Sequence, residues 1–144
     1  MGVEANVRKS FAYVVRRFED RHELLAFRSI DEPRGFEVPK GAAEADESFD
    51  DAARRELAEE TGLVIAGIVA ELGTTWYGDE EQRFFLFAAP DGLRSRFRHT
   101  VTGSDGDAGE VYELQFLPID ARLAACLVQG SGAFVDVLRR RLDV

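Results

Sequence analysis

The order of patterns along this chain predicts a mixed α/β domain. Runs rich in β-branched and aromatic residues lie on both sides of one amphipathic helical stretch, and two further helical stretches come last. Clusters of Gly, Pro, Asp and Ser separate them as turns. At 144 residues the chain is sized for one domain, read as residues 1–144, with a core that needs no staples.

Val7 to Phe18, VRKSFAYVVRRF, is dense in β-branched and aromatic residues with partial alternation, which predicts a strand. The polar EDRHE turns the chain, and Leu24 to Arg28 supplies an antiparallel partner. SIDEPRG reads as a loop, and Phe36 to Pro39 as a short strand ended by its proline. A helix follows from about Ser48 to Glu60. Ser48 or Asp46 can cap it, early acids suit the positive end of its dipole, and Gly62 can close it. Val64 to Thr74 and Gln82 to Ala89 read as strands, and Asp91 to Gly109, ending in TGSDGDAG, as a long flexible loop. Glu110 to Ile119 alternates as a strand should. Two short helices, Asp120 to Val128 and Gly132 to Leu142, come last, with no internal repeat or linker.

Composition narrows the function. Hydrophobic residues make up 45% of the chain and charged residues 31%, which excludes extended disorder. The formal net charge of −9 works against non-specific attraction to nucleic acid or an anionic membrane, so neither is an expected partner. A polyanionic substrate would need local counter-charge from basic side chains or bound metal. Cys126 is the single cysteine, read as a small apolar residue of a C-terminal helix, so no intrachain disulfide forms. No apolar run reaches the roughly 18 residues of a membrane span. The N-terminus, beginning Met1-Gly2, lacks the apolar core of a signal peptide. The expected setting is the cytoplasm.

The helix carries an oddity. At about 100° per residue, Glu56, Glu59 and Glu60 fall on the side of Phe49, Ala52 and Ala53, with Asp51, Arg54 and Ala58 opposite. The acids therefore continue the apolar face. Carboxylates crowded in a partly buried site repel one another and call for compensation. Arg55 alone cannot neutralise all three, whereas a hard cation wants carboxylate oxygens. Geometry by itself leaves two readings open, a cation site and an exposed acidic helix end.

Spacing adds a resemblance. Gly41, five residues, Glu47, seven residues, and then Arg55-Glu56-Leu57-Ala58-Glu59-Glu60-Thr61-Gly62-Leu63 resemble the Nudix box at every specified position. The flanking strands and the late Gln115-Phe116-Leu117-Pro118 strand also sit where a Nudix domain has them. The resemblance implies the Nudix fold, an α/β/α sandwich around a mixed β-sheet. It implies a hydrolase, dependent on Mg²⁺ or on Mn²⁺ in its place, that cleaves a diphosphate linked to another moiety X. It further implies that Glu56, Glu59 and Glu60 bind the metal and that the Gly41 carbonyl lies near it. Glu56 would also orient or deprotonate water, and Arg55 with Glu47 would brace the loop against the helix. Many members use one more acid outside the box; Glu110 takes that place here, with Glu113 and Glu44 as alternatives, each of which also reads as a surface acid.

The identity of X is less marked. Val38-Pro39-Lys40-Gly41 resembles branches acting on dinucleoside polyphosphates or diphosphoinositol phosphates, with Lys40 touching phosphate. Tyr77 resembles a downstream tyrosine of dinucleoside-polyphosphate hydrolases, and Trp76 beside it would stack a base or belong to the core. The ADP-ribose branch has a proline where Gly78 and Asp79 stand. Arg94, Arg96 and Arg98, with His99 adjacent, would contact phosphates or form a solvated strand face. A small nucleotide is the expected partner, with dinucleoside polyphosphates favoured. The alternatives are a (d)NTP pyrophosphatase of the pool-sanitising type and a non-catalytic nucleotide sensor. The 91–109 loop is a candidate to close over the substrate.

Overall fold

The computed structural model describes residues 7–144; Met1-Gly2 and the rest of the first six positions lie outside the described residues. The strands are β1 (Val7–Phe18), β2 (Arg21–Ser29), β3 (Lys40–Ala42), β4 (Ala70–Tyr77), β5 (Glu80–Ala88), β6 (Arg96–Thr100) and β7 (Val111–Pro118). The helices are α1 (Phe49–Thr61), α2 (Leu123–Cys126) and α3 (Val135–Leu142). One sheet runs β4-β5-β1-β2-β7-β6, with β3 also paired to β1. The β1–β5 pair is parallel and the others are antiparallel, so the sheet is mixed.

The period-two alternation of β1 explains the layers. Phe11 and Tyr13 point to one face and Ala12 and Val14 to the other, all fully buried. On the second face, Phe49, Ala53 and Leu57 of α1 pack with Val14, Leu25, Phe85 and Leu114. On the first, Leu123, Val135 and Leu138 of the terminal helices cover Phe11, Tyr13, Leu24 and Phe84. Phe11 and Phe84 stack there with ring centroids 4.2 Å apart. Helices on both faces of a mixed sheet make the expected α/β/α sandwich.

Two local features aim the chain at one place. Ser48 caps α1, its hydroxyl accepting from the Asp51 N–H at 3.0 Å, and Gly62 ends it at φ 78°, where only glycine sits without strain. Strands β1 and β2 pair only from Val15–Leu24 to Phe18–Arg21, and the segment before α1 wedges between them beyond that point. The Ala12 N–H donates to the Pro39 carbonyl at 2.9 Å, and Phe27 exchanges backbone bonds with Glu37 at 2.8 Å. The wedge seats Lys40 and Gly41 beneath the end of α1.

Five elements differ from the sequence-based expectation. Phe36 and Glu37 make only isolated bridges, to Leu127 and Phe27, and the paired strand begins after Pro39 instead of ending there. Proline has no N–H for a ladder, so pairing starts where donors return. Residues 64–69 form no strand. Leu63, Ile65 and Ile68 reach the core, so their alternation reports packing without pairing. Within the expected 91–109 loop lies β6, where Phe97 and His99 alternate with exposed Arg96 and Arg98. The last two helices are shorter than expected, and Cys126, the last residue of α2, is exposed. Among the described residues no helix is long and apolar enough to cross a membrane.

Removing the Phe84 ring, which is 0% exposed, leaves a cavity between β1, β5 and the 134 turn. Phe84→Ala should cost about 3–5 kcal/mol in urea unfolding, whereas Phe18→Ala at the exposed hairpin end should cost less than about 1 kcal/mol.

Candidate active site

The inward face of α1 carries its acids into the fold. Glu56 is 2% exposed and Glu60 4%, continuous with buried Ala53 and Leu57. This excludes the exposed acidic helix end. Burial first, and then the nearby Asp105 carboxyl, push the Glu56 carboxyl up to about 8. Burial and the adjacent Asp107 raise Glu60 well above the usual carboxylate range, against the pull of the Lys40 N–H that donates to it at 2.7 Å. Glu59 is raised by burial, with Arg55 opposing.

Arg55 organises these groups. Its guanidinium meets Glu47 in a two-bond fork at 2.9 Å and donates to Glu56 at 2.9 Å, to Glu59 at 3.2 Å and to the Ala42 carbonyl at 2.9 Å. The fork ties the loop before α1 to the helix, and it holds Glu47 below the usual carboxylate range. One guanidinium does not balance the remaining acids.

The group is completed from outside the helix. Carboxylate oxygens of Glu56, Glu59 and Asp105 lie within 4.8 Å of one another. Asp105 belongs to the turn after β6, which folds back through the Gly109 N–H to Val101 carbonyl bond at 2.9 Å. The Thr102 N–H donates to the Glu59 carbonyl at 3.0 Å, and His99 Nε2 lies 3.0 Å from the same oxygen. Tyr112 Oη donates to Asp107 at 3.0 Å while its ring stacks on Phe27 at 4.1 Å.

Glycine makes room at two points. A Cβ on Gly41 would lie 2.1–2.4 Å from the Glu56 carboxyl group, and one on Gly103 would lie 2.5–2.8 Å from that of Glu59. Gly103 also has φ +93°, which disfavours a side chain on its own account. Several carboxylates converging where a side chain is excluded suit a hard divalent cation. The donor set fits the metal implied by the resemblance.

The other anticipated residues are placed differently. Glu110 is exposed and lines a cavity with Tyr112, outside the Glu56–Glu59–Asp105 group. Glu113 lies near Arg28 and Arg98, at 3.7 and 3.8 Å, and Glu44 is exposed with its N–H on Glu47. The Lys40 ammonium pairs with Glu37 and faces the Phe27 ring at 6.0 Å. Trp76 and Tyr77 are 56% and 78% exposed on β4, which excludes a core role for Trp76. The sequence pattern does not single out Asp105, Asp107 or Tyr112, and His99, expected with the arginines at phosphate or on a solvated face, meets the Glu59 carbonyl instead. The acids inside TGSDGDAG were the available signal, passed over for the glutamate that follows it.

A family model for the NUDIX domain matches residues 7–138. The chain belongs to the Nudix family. Solved Nudix structures share its fold at low identity. The NUDIX domain of Shewanella oneidensis NrtR, complexed with ADP ribose, aligns with TM-score 0.67 and 16% identity, covering 97% of this chain and 90% of that one. A C. elegans Ap4A hydrolase in a binary complex gives 0.65 and 17%, covering 95% and 98%. An ADP compounds hydrolase gives 0.67 and 16%, covering 97% and 75%. No significant match is found among curated proteins.

The raised acids give a metal-dependent pH signature. Glu56 and Glu60 bind protons more tightly folded than unfolded, so their contribution is most favourable below the ordinary value of 4.5 and declines as pH rises, that of Glu56 being lost as pH passes about 8. In EDTA the thermal midpoint should fall across that window, and saturating Mg²⁺ should remove most of the slope. Gly41→Ala should abolish the Mg²⁺ response, because its methyl group displaces the Glu56 carboxyl; a full response in that variant would contradict the assignment.

Proposed function

We propose that this Nudix protein is a divalent-cation-dependent pyrophosphohydrolase acting on a nucleoside diphosphate linked to X, with dinucleoside polyphosphates as the favoured class. The observation that carries the reading is the under-compensated carboxylate group of Glu56, Glu59 and Asp105, with Glu60 buried beside it. An acidic protein can hold a polyanion there once cationic charge is added.

Glu56, Glu59 and Asp105 would hold Mg²⁺ or Mn²⁺, with Glu60 and the Gly41 carbonyl adjoining. The inclusion of Asp105 in the group favours it over Glu110 and Glu113 as the acid outside the box. When bound, the metal supplies charge stabilisation at the reacting phosphorus and acidifies water. The remaining work falls to the chain. Arg55 holds Glu56 and Glu59 in register through its fork to Glu47, and Glu56 orients the attacking water and draws its proton. The water oxygen bonds to phosphorus as the bridging P–O bond breaks, and the two halves leave as separate phosphates. Lys40, withdrawn into its Glu37 pair, reaches phosphate only by exchanging partners. Tyr77 and Trp76, exposed beside one another, suit stacking on a base.

One of the similar structures holds ADP ribose and another is an Ap4A hydrolase, which supports a nucleotide substrate here. A panel of diadenosine tetraphosphate, ADP-ribose and dGTP with Mg²⁺, with products identified, tests the substrate. Asymmetric cleavage of the dinucleotide is expected; pyrophosphate release from dGTP would instead identify the sanitising type. Binding without turnover by any of the three would identify a sensor.

Glu56→Gln should lower kcat by at least about a hundredfold, and Arg55→Gln by about 10- to 100-fold through misplaced ligands. Unchanged rates in both variants, with the fold intact by circular dichroism, would refute the catalytic assignment.

A further inference from the structure

Two cavities meet at Gln129. One of about 250 Å³ is lined by Glu32, Arg34, Glu37, Glu110 and Tyr112, and one of about 340 Å³ by Lys9, Tyr77, Glu80 and Gln82. The first is joined to the carboxylate group by two short paths. Tyr112 donates to Asp107, whose carboxyl adjoins Glu60, and Glu37 pairs with Lys40, whose N–H holds Glu60.

Gln129 stands on a stiff mount. Its neighbours are tied to the wedge between β1 and β2: the Val128 N–H donates to the Phe36 carbonyl at 2.9 Å, and the Val38 N–H to Ser131 Oγ at 3.1 Å. Tyr13 Oη donates to the Ser131 carbonyl at 2.6 Å, and Ser131 is 0% exposed. Between these anchors Gln129 takes φ 56°, a left-handed conformation that costs a residue with a side chain free energy. Glycine would meet the same backbone demand without strain, as Gly130 does next to it at φ 77°. The left-handed backbone places Gln129 in the lining of both cavities.

The charge of the first cavity says what it takes. Glu32 pairs with Arg34 at 3.5 Å and Glu37 with Lys40, so Glu110 leaves the lining with a net negative charge. Such a wall repels phosphate and accepts from hydroxyl or amino donors. We propose that Gln129 is a specificity-determining residue whose side-chain amide hydrogen-bonds the uncharged nucleoside part of the substrate, while the phosphates stay at the carboxylate group. The assignment rests on the diphosphate-hydrolase reading of that group. A primary amide both donates and accepts, as base edges and sugar hydroxyls require.

The full-length protein with Mg²⁺ provides the test, using diadenosine tetraphosphate, ADP-ribose and dGTP as substrates and inorganic pyrophosphate as a nucleoside-free inhibitor. Gln129→Ala and Gln129→Gly should each raise KM by about three- to tenfold, with kcat within about twofold, for the loss of a neutral hydrogen bond. Pyrophosphate inhibition should not change, and the thermal midpoint of Gln129→Gly should equal or exceed that of the wild type, because the backbone strain is relieved. An active wild type with unaltered KM in both variants would overturn the assignment alone, as would a parallel weakening of pyrophosphate inhibition. A wild type inert toward all three substrates would overturn the diphosphate reading and this assignment with it.

Discussion

Carboxylates buried on the inner face of one helix set the terms for everything around them. Glu56 and Glu60 are almost wholly withdrawn from water, which raises the cost of ionising either. A fold seeking only stability would place apolar residues there or pair each acid with a base. Instead Arg55 is divided among Glu47, Glu56 and Glu59, and the turn after β6 adds the charges of Asp105 and Asp107 to the same group. The arrangement gathers excess negative charge at one place. A divalent cation would relieve that excess.

The scaffold serves this placement. Because β1 and β2 part after four paired positions, the Phe36–Ala42 segment can enter the sheet and present the Lys40 N–H to Glu60. Gly41 then lets the strand pass directly against the Glu56 carboxyl group. From the other side, His99 and the Thr102 N–H both use the Glu59 carbonyl, an acceptor at the end of α1. This carbonyl in the last turn of the helix fastens the turn bearing Asp105. The segment around Ser131 is fixed to the wedge as well, so the cavity walls and the carboxylate group share one support.

Much of the fold was legible because its signals are local. The β1 alternation, the Ser48 cap, the Gly62 stop and the apolar face of α1 each lie within a short stretch, and the structure agrees with all of them. Expectations failed where pairing partners decide. Leu63, Ile65 and Ile68 alternate like a strand but have core neighbours and no ladder. Arg96 to Thr100 lies in a segment whose end is rich in Gly and Asp, and only β7 makes it a strand. Composition described the turn and not the strand leading to it.

The sequence by itself determined the carboxylate-bearing helix and its inward-facing acids, since residues a few positions apart on a helix have fixed relative directions, and the Glu47 brace was implied by the resemblance to the Nudix box. Family membership followed from the same spacing. Only the tertiary structure decided which acid from elsewhere joins them. Asp105 and Glu110 sit in the same region of the chain, and the backbone reversal between Val101 and Gly109 turns the first toward Glu56 and leaves the second exposed. That choice depends on long-range packing against α1 and on φ values available to glycine, neither of which is written in the spacing of acids along the chain.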